Sequence, residues 1–218
     1  MPMLCALMPI LRGAVTFSRF RAEPVGRVPR DSNQWLARGL KLRAFTPIDR
    51  KGDVDRSAGF VELEAQDSVE FSPGSFMQGE HLVVSWRVDQ LKVSSAQVRA
   101  ELEAWKTAFE LDKGRPPGRV ERAEARLAVR QELRNAATPS SRTVDVSWNL
   151  KTSSVELWTV SRKLVDEIAD AFGKAFDTRL IPQTPPAMAE AIGIPDSSLK
   201  PTPELSWVEE QEADDGQA

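Results

Sequence analysis

Five arginines, Arg119, Arg122, Arg126, Arg130 and Arg134, recur at spacings of three, four, four and four residues. At about 100° per residue, a helix places them on one arc of roughly 120°. Glu121, Glu124 and Glu132 fall on a separate arc, and Val120, Ala123 and Leu127 lie between the two, where they are expected to face a neighbouring helix. The result is a positive ridge about four turns long, which Lys113 and Arg115 extend at one end and Arg142 at the other. A guanidinium suits phosphate because its planar fork can donate two hydrogen bonds to one group. Contacts of that kind fix position on a nucleic acid without reading its sequence. The same stripe also describes a solvated helix face whose arginines pair with acids on neighbouring elements. The spacing leaves both readings open.

Little else in the chain suits chemistry. One histidine, His81, and one cysteine, Cys5, remove Ser-His-Asp, Cys-His, multi-histidine and disulfide arrangements from a single copy of the chain. His81 opens a strand pattern and reads as a surface or capping residue. A metal-dependent nuclease needs two or three carboxylates around its metal, often beside a lysine. Asp49-Arg50-Lys51 with Glu62 and Glu64 is the nearest candidate, but such triplets arise often by chance. The glycines at 114 and 118 lack the strand-loop-helix setting of a phosphate loop. The expectation is therefore a protein without catalytic residues, metal or cofactor.

The 218 residues carry 29 Lys+Arg and 32 Asp+Glu, a formal charge of −3, unevenly spread. Residues 196–218 hold seven acids and one base, so residues 1–195 carry +3. Such asymmetry hints at nucleic-acid contact or an interaction tail. Trp207, with Leu205 and Val208 among those acids, resembles a short docking motif, which makes a protein-interaction module the second class of function. With 41% hydrophobic and 28% charged residues the composition is that of an ordinary globular chain. The longest apolar stretch, Met1 to Leu11, is too short to span a bilayer and lacks the features of a secretion signal. A cytoplasmic protein with no membrane partner is expected.

The elements that must position the ridge follow from periodicity. Strands are expected over 11–20, 58–63, 81–92, 142–148, 154–160 and 178–182, and helices over about 32–42, 94–112, 119–137, 161–176 and 185–192. In 81–92, Leu82, Val84, Trp86 and Val88 share one face, and Val83, Ser85, Arg87 and Asp89 the other, so one face of the sheet is expected to be wet or lightly covered. Ser94-x-x-Gln97 is a capping box opening a helix with Val98, Leu102, Trp105 and Phe109 on one stripe. With the arginine helix it should form an antiparallel hairpin over 94–137. Residues 22–29 and 66–79 read as loops. Trp35, Trp86, Trp105 and Trp148 fit core stripes, whereas Trp158 is out of phase and suits an interface or second core. The fold class is α+β: a mostly antiparallel sheet with packed helices and a protruding helical hairpin. A flexible arm at 1–10 and an acidic, disordered tail at 194–218 flank a body at 11–193.

Five segments in this order resemble the recombination-associated RdgC family of bacterial DNA-binding proteins. They are Phe45-Thr46-Pro47-Ile48 with Arg56-Ser57-Ala58-Gly59-Phe60-Val61; Trp86 to Val93 with Ser94 and Val98; Gly114-Arg115 through Arg134; Pro139 to Asn149; and Phe172 to Phe176 with Leu180-Ile181-Pro182. The resemblance covers about residues 10–193. It implies a non-enzymatic, nucleoid-associated protein that binds double-stranded DNA with little sequence preference, forms a homodimeric ring with a basic inner surface, and restrains the RecA recombinase. Longer relatives have a C-terminal third that helps form the dimer; this chain has the acidic tail instead. They also carry a basic-aromatic loop after the second hairpin helix, where this chain has Asn135 to Ser141 without an aromatic residue.

Overall fold

The computed structural model describes residues 16–26, 32–195 and Ser198. In chain order the elements are β1 (Ser18–Pro24), α1 (Ser32–Leu42), β2 (Arg56–Val61), α2 (Pro73–Phe76), β3 (Met77–Gln78), β4 (His81–Gln90), α3 (Ser95–Lys113), α4 (Arg119–Ala136), β5 (Ser140–Asn149), β6 (Ser154–Leu157), α5 (Arg162–Phe176), β7 (Thr178–Pro182) and α6 (Pro185–Ala191). The strands make one antiparallel sheet in the order β2-β4-β5-β6-β1-β7, with β3 pairing on β4. This is the expected α+β class, with its mostly antiparallel sheet.

Alternation in β4 and β5 sets the core. Leu82, Val84, Trp86, Val144, Val146 and Trp148 are buried on one face, where α1 and α5 cover them. Of these helices α5 has the strongest apolar stripe, burying Leu164, Ile168, Ala171, Phe172, Ala175 and Phe176, and α1 adds Leu36 and Leu40. Trp148 stacks edge-on against Phe172 at 5.0 Å, and Phe60 against Trp86 at 4.9 Å. Trp35 packs half-buried against this cluster.

Several expectations need correction. The first strand lies at 18–24 rather than 11–20, so Ala22 sits in the core instead of a loop; residues 11–15 lie outside the described residues, as do the arm at 1–10, Cys5 and, save for Ser198, the tail at 196–218. The segment 66–79 holds α2 and β3, with Phe71 and Phe76 filling the core. Of the two alternatives for the second sheet face, wet or lightly covered, the first is excluded: Ser85 and Asp145 are fully buried and hydrogen-bonded to each other at 2.8 Å. Part of the reason is the segment after β2. Arg87 donates to the carbonyl of Gln66 and to Asp67, and Gln66 reaches Thr143. Trp158 lies on this side against Phe17, ring centres 5.4 Å apart. Trp105 stands outside the main core, half-buried on α3 beside Phe109.

One close approach matters for the site. Ala44 pairs in parallel with Phe60, and Phe45 N–H and Phe60 N–H donate to Phe60 O and Arg43 O. A Cβ on Gly59 would sit 2.4 Å from the backbone nitrogen of Phe45, so only glycine lets the two backbones meet there. The contact ties the start of segment 44–55 to the sheet, and the end of that segment holds the hairpin.

Candidate nucleic-acid interface

The helical hairpin leaves the sheet between β4 and β5, which pair from His81↔Asn149 to Gln90↔Ser140. Ser94 caps α3, its hydroxyl accepting from Gln97 N–H. Gly114, at φ 65°, ends α3 in the left-handed conformation that glycine favours. At 19 and 18 residues, the two helices are about 28 Å long. No residue of α3 is fully buried; Val98, Leu102, Trp105 and Phe109 are half-buried. The hairpin therefore projects from the body, held by its own packing and by its foot.

On α4 the covered stripe is Ala125 with half-buried Val129 and Leu133. Val120 and Leu127, expected to face α3, are instead 69% and 70% exposed. The apolar face was misplaced by about half a turn, because Val129 and Leu133 complete a four-residue repeat with Ala125 that Val120 and Leu127 do not share.

Four of the five stripe arginines, Arg119, Arg122, Arg126 and Arg130, are exposed. Among the described residues Arg119, Arg122 and Arg126 form no ion pair, and Arg122 Nε donates to Gly118 O at 3.3 Å. Arg130 approaches Asp55 only at 3.9 Å. Between 94 and 137 nine bases face seven acids, so the positive surface depends on segregation of sign rather than on net charge.

Arg134 does not belong to that surface. It is 5% exposed. Its Nε donates to Asp55 Oδ1 at 2.8 Å, and its two Nη groups donate to the carbonyls of Arg50, Asp49 and Val54. Gln131 Nε2 also donates to Arg50 O at 3.0 Å, and Arg50 Nη1 returns a bond to Asn135 O. The last turn of α4 and segment 49–55 thus clasp each other at the hairpin's foot. The last turn is where a helix re-enters the body, so a long side chain there points into the joint. Three carboxylates in 49–55 (Asp49, Asp53, Asp55) were the sequence signal for a partner.

The bases at the hairpin's tip are also partly spent. Arg115 makes a two-pronged bond to Glu121, at 2.7 and 2.9 Å, and lies over the Phe109 ring. Lys113 pairs with Asp112 at 3.1 Å. Arg142 is exposed but lies on the sheet, opposite Val88, not on the hairpin. The Arg115 hydrogen bonds, and then the Gly118 N–H, lower the Glu121 carboxyl from its ordinary 4.5 to about 2. A carboxyl depressed in the folded state contributes order above its unfolded pKa and loses it as the pH falls through the folded value. The tip lock should be complete at pH 5 and above and fail toward about pH 2. A carbon-13 carboxyl titration of Glu121 should show that low midpoint; a midpoint near 4.5 would mean that the pair does not form in solution.

Of the carboxylates considered for a nuclease, Glu62 and Asp49 have structural partners and Glu64 is exposed. Glu62 lies past the end of β2, which stops at Val61, not within the strand expected over 58–63. Burial pushes its carboxyl up, but hydrogen bonds from Ser75, Ser68 and the Phe71 and Ser72 amides outweigh that and hold it below the ordinary value. Asp49 Oδ1 accepts the Lys51 N–H within its own turn. Among the described residues no three His, Cys, Asp or Glu side chains converge as a metal site, and no helix is long and apolar enough to cross a membrane. His81 is exposed, with Nε2 3.0 Å from Asn149 Nδ2.

At the foot of the hairpin lies an open groove of about 730 Å³. Its walls are Lys92, Val98 and Arg99 on one side and Arg126, Leu127 and Arg130 on the other, with Asp55 at one edge. Sequence reasoning missed Lys92 and Arg99, which stand apart from the stripe and join it only in space.

No family model matches the chain, and no curated protein matches it.

Proposed function

We propose that this protein binds duplex DNA without sequence preference, through the exposed arginines of α4. The observation that carries the reading is the row Arg119, Arg122, Arg126 and Arg130 on a projecting hairpin, of which the first three form no ion pair among the described residues. From Arg119 to Arg130 the row is about 17 Å long. That matches about five phosphates along one strand, at 3.4 Å of axis each. Lys92 and Arg99 widen the positive surface at the hairpin's foot. The likeness of five short segments to the RdgC family supports the same reading. It adds, as part of the proposal, a homodimer and a role in restraining RecA-type recombination within the nucleoid.

Fluorescence anisotropy on a labelled duplex across a salt series tests it. Each neutralised phosphate contributes about −0.9 to the slope of log affinity against log salt, so four to five contacts give a slope of roughly −4. Equal affinity for unrelated duplexes is expected. Failure to bind at low salt, or a salt-insensitive affinity, would overturn the proposal.

A further inference from the structure

We infer that the groove at the hairpin's foot is the docking site of this chain's own acidic tail, residues 204–215. Charge and apolar pattern both match. The groove presents four cations, Lys92, Arg99, Arg126 and Arg130, against the single carboxylate of Asp55, which Arg134 already engages. Between the cations lie Val98 and Leu127, the latter 70% exposed. Residues 204–215 contain six acids, Glu204, Glu209, Glu210, Glu212, Asp214 and Asp215, and no base. Among those acids stand Leu205, Trp207 and Val208. An acidic segment with an aromatic centre fits a basic groove with an apolar residue in each wall. Burying Trp207 on Leu127 would remove apolar area from water, while the carboxylates meet guanidinium forks.

The topology brings the tail within reach. β7 runs antiparallel to β1, from Thr178↔Pro24 to Pro182↔Phe20, and so heads toward the end of the sheet from which the hairpin rises. Pro182 lies in register with Phe20, Val155 and Trp148, eight residues along β5 from Ser140. At about 3.3 Å per residue and 4.8 Å per strand, the hairpin's foot is roughly 30 Å away. From Pro182 to Trp207 the eighteen residues outside α6 have a contour of about 60 Å.

Arg126 and Arg130 belong both to this groove and to the DNA-binding row, so the tail would compete with DNA for them; this regulatory consequence rests on the function proposed above, whereas the docking itself does not. A tethered segment acts at an effective concentration of about millimolar. Against a groove affinity of about 0.1 mM, it would weaken DNA binding by about tenfold.

The test uses the full chain. Nitrogen-15 amide spectra of the wild type and of the Trp207→Ala/Val208→Ala variant, without DNA, should differ at Val98, Arg99 and Leu127 but not along β7. A second variant, Glu204→Gln/Glu209→Gln/Glu210→Gln/Glu212→Gln, should bind duplex DNA about tenfold more tightly at low salt, with the gain shrinking as salt screens the charges. Unchanged groove amides overturn the docking even if the protein binds DNA. Shifted amides without any DNA binding sustain the docking and remove the DNA reading instead. Shifts that depend on concentration, with a sedimentation coefficient that falls in the tail variants, would place the tail of a second copy in the groove and overturn docking within one chain.

Discussion

Replacing Arg134 by alanine should lower the thermal midpoint by roughly 5–10 °C. The side chain is 5% exposed and holds one carboxylate and three carbonyls of segment 49–55. Breaking a fully buried ion pair costs about 3–5 kcal/mol. Here Asp55 is 41% exposed and water can reach it once the guanidinium is gone, so about 2–3 kcal/mol is the better figure. In a chain of this length each kcal/mol moves the midpoint by about 2–4 °C. Arg134→Lys should recover little of the loss, because an ammonium keeps the charge but cannot reach the carboxylate and the carbonyls in the plane of a fork. Amide hydrogen exchange supplies a local readout: Val54, Asp55 and the last turn of α4 should exchange faster, because the clasp is the joint that keeps the hairpin from opening on its own. A midpoint within 1–2 °C of wild type, with unchanged exchange at these amides, would show that the clasp is not a structural joint.

The contrast between Arg134 and the other stripe arginines marks what the sequence could and could not reveal. Period-two alternation in 81–90 and 140–149 and the 3.6-residue stripes of α1 and α5 were legible, because each records a face turned to one common core. So was the hairpin, whose ends are written in local chemistry at Ser94, Gly114 and Gly118. The five arginines were legible as one arc, but not that its last member turns inward. That depends on segment 49–55, which leads into β2 beside β4 and is anchored to the sheet by Gly59 against Phe45, some 75 residues earlier in the chain. The groove was illegible for the same reason: Lys92, Arg99 and Arg126 belong to no common period and meet only when the hairpin closes. The misplaced face of α4 has a different cause. With alanines at 123, 125 and 128, the helix offered two weak apolar arcs, and only packing against α3 chooses between them.

If the exposed row is the DNA site, Arg122→Ala/Arg126→Ala/Arg130→Ala should lose affinity for duplex DNA by on the order of a hundredfold. An exposed charge-assisted contact contributes about 1 kcal/mol, below the range for buried ones, and three of them amount to about two powers of ten. The salt slope should become shallower by about 2.7, one increment of 0.9 for each phosphate released. The thermal midpoint should stay within about 2 °C of wild type, because exposed side chains away from packing contribute little to stability. That separates this variant from Arg134→Ala, which should unfold earlier and weaken DNA binding only through the displaced hairpin. Arg115→Ala is the opposite control: its fork is already held by Glu121, so the tip should loosen while the salt slope barely moves. Full affinity in the triple variant would reduce the row to a solvated face. Loss of affinity with an unchanged slope would mean that the arginines shape the hairpin rather than touch phosphate. Only a joint fall in affinity and slope, at constant stability, makes them the contacts themselves.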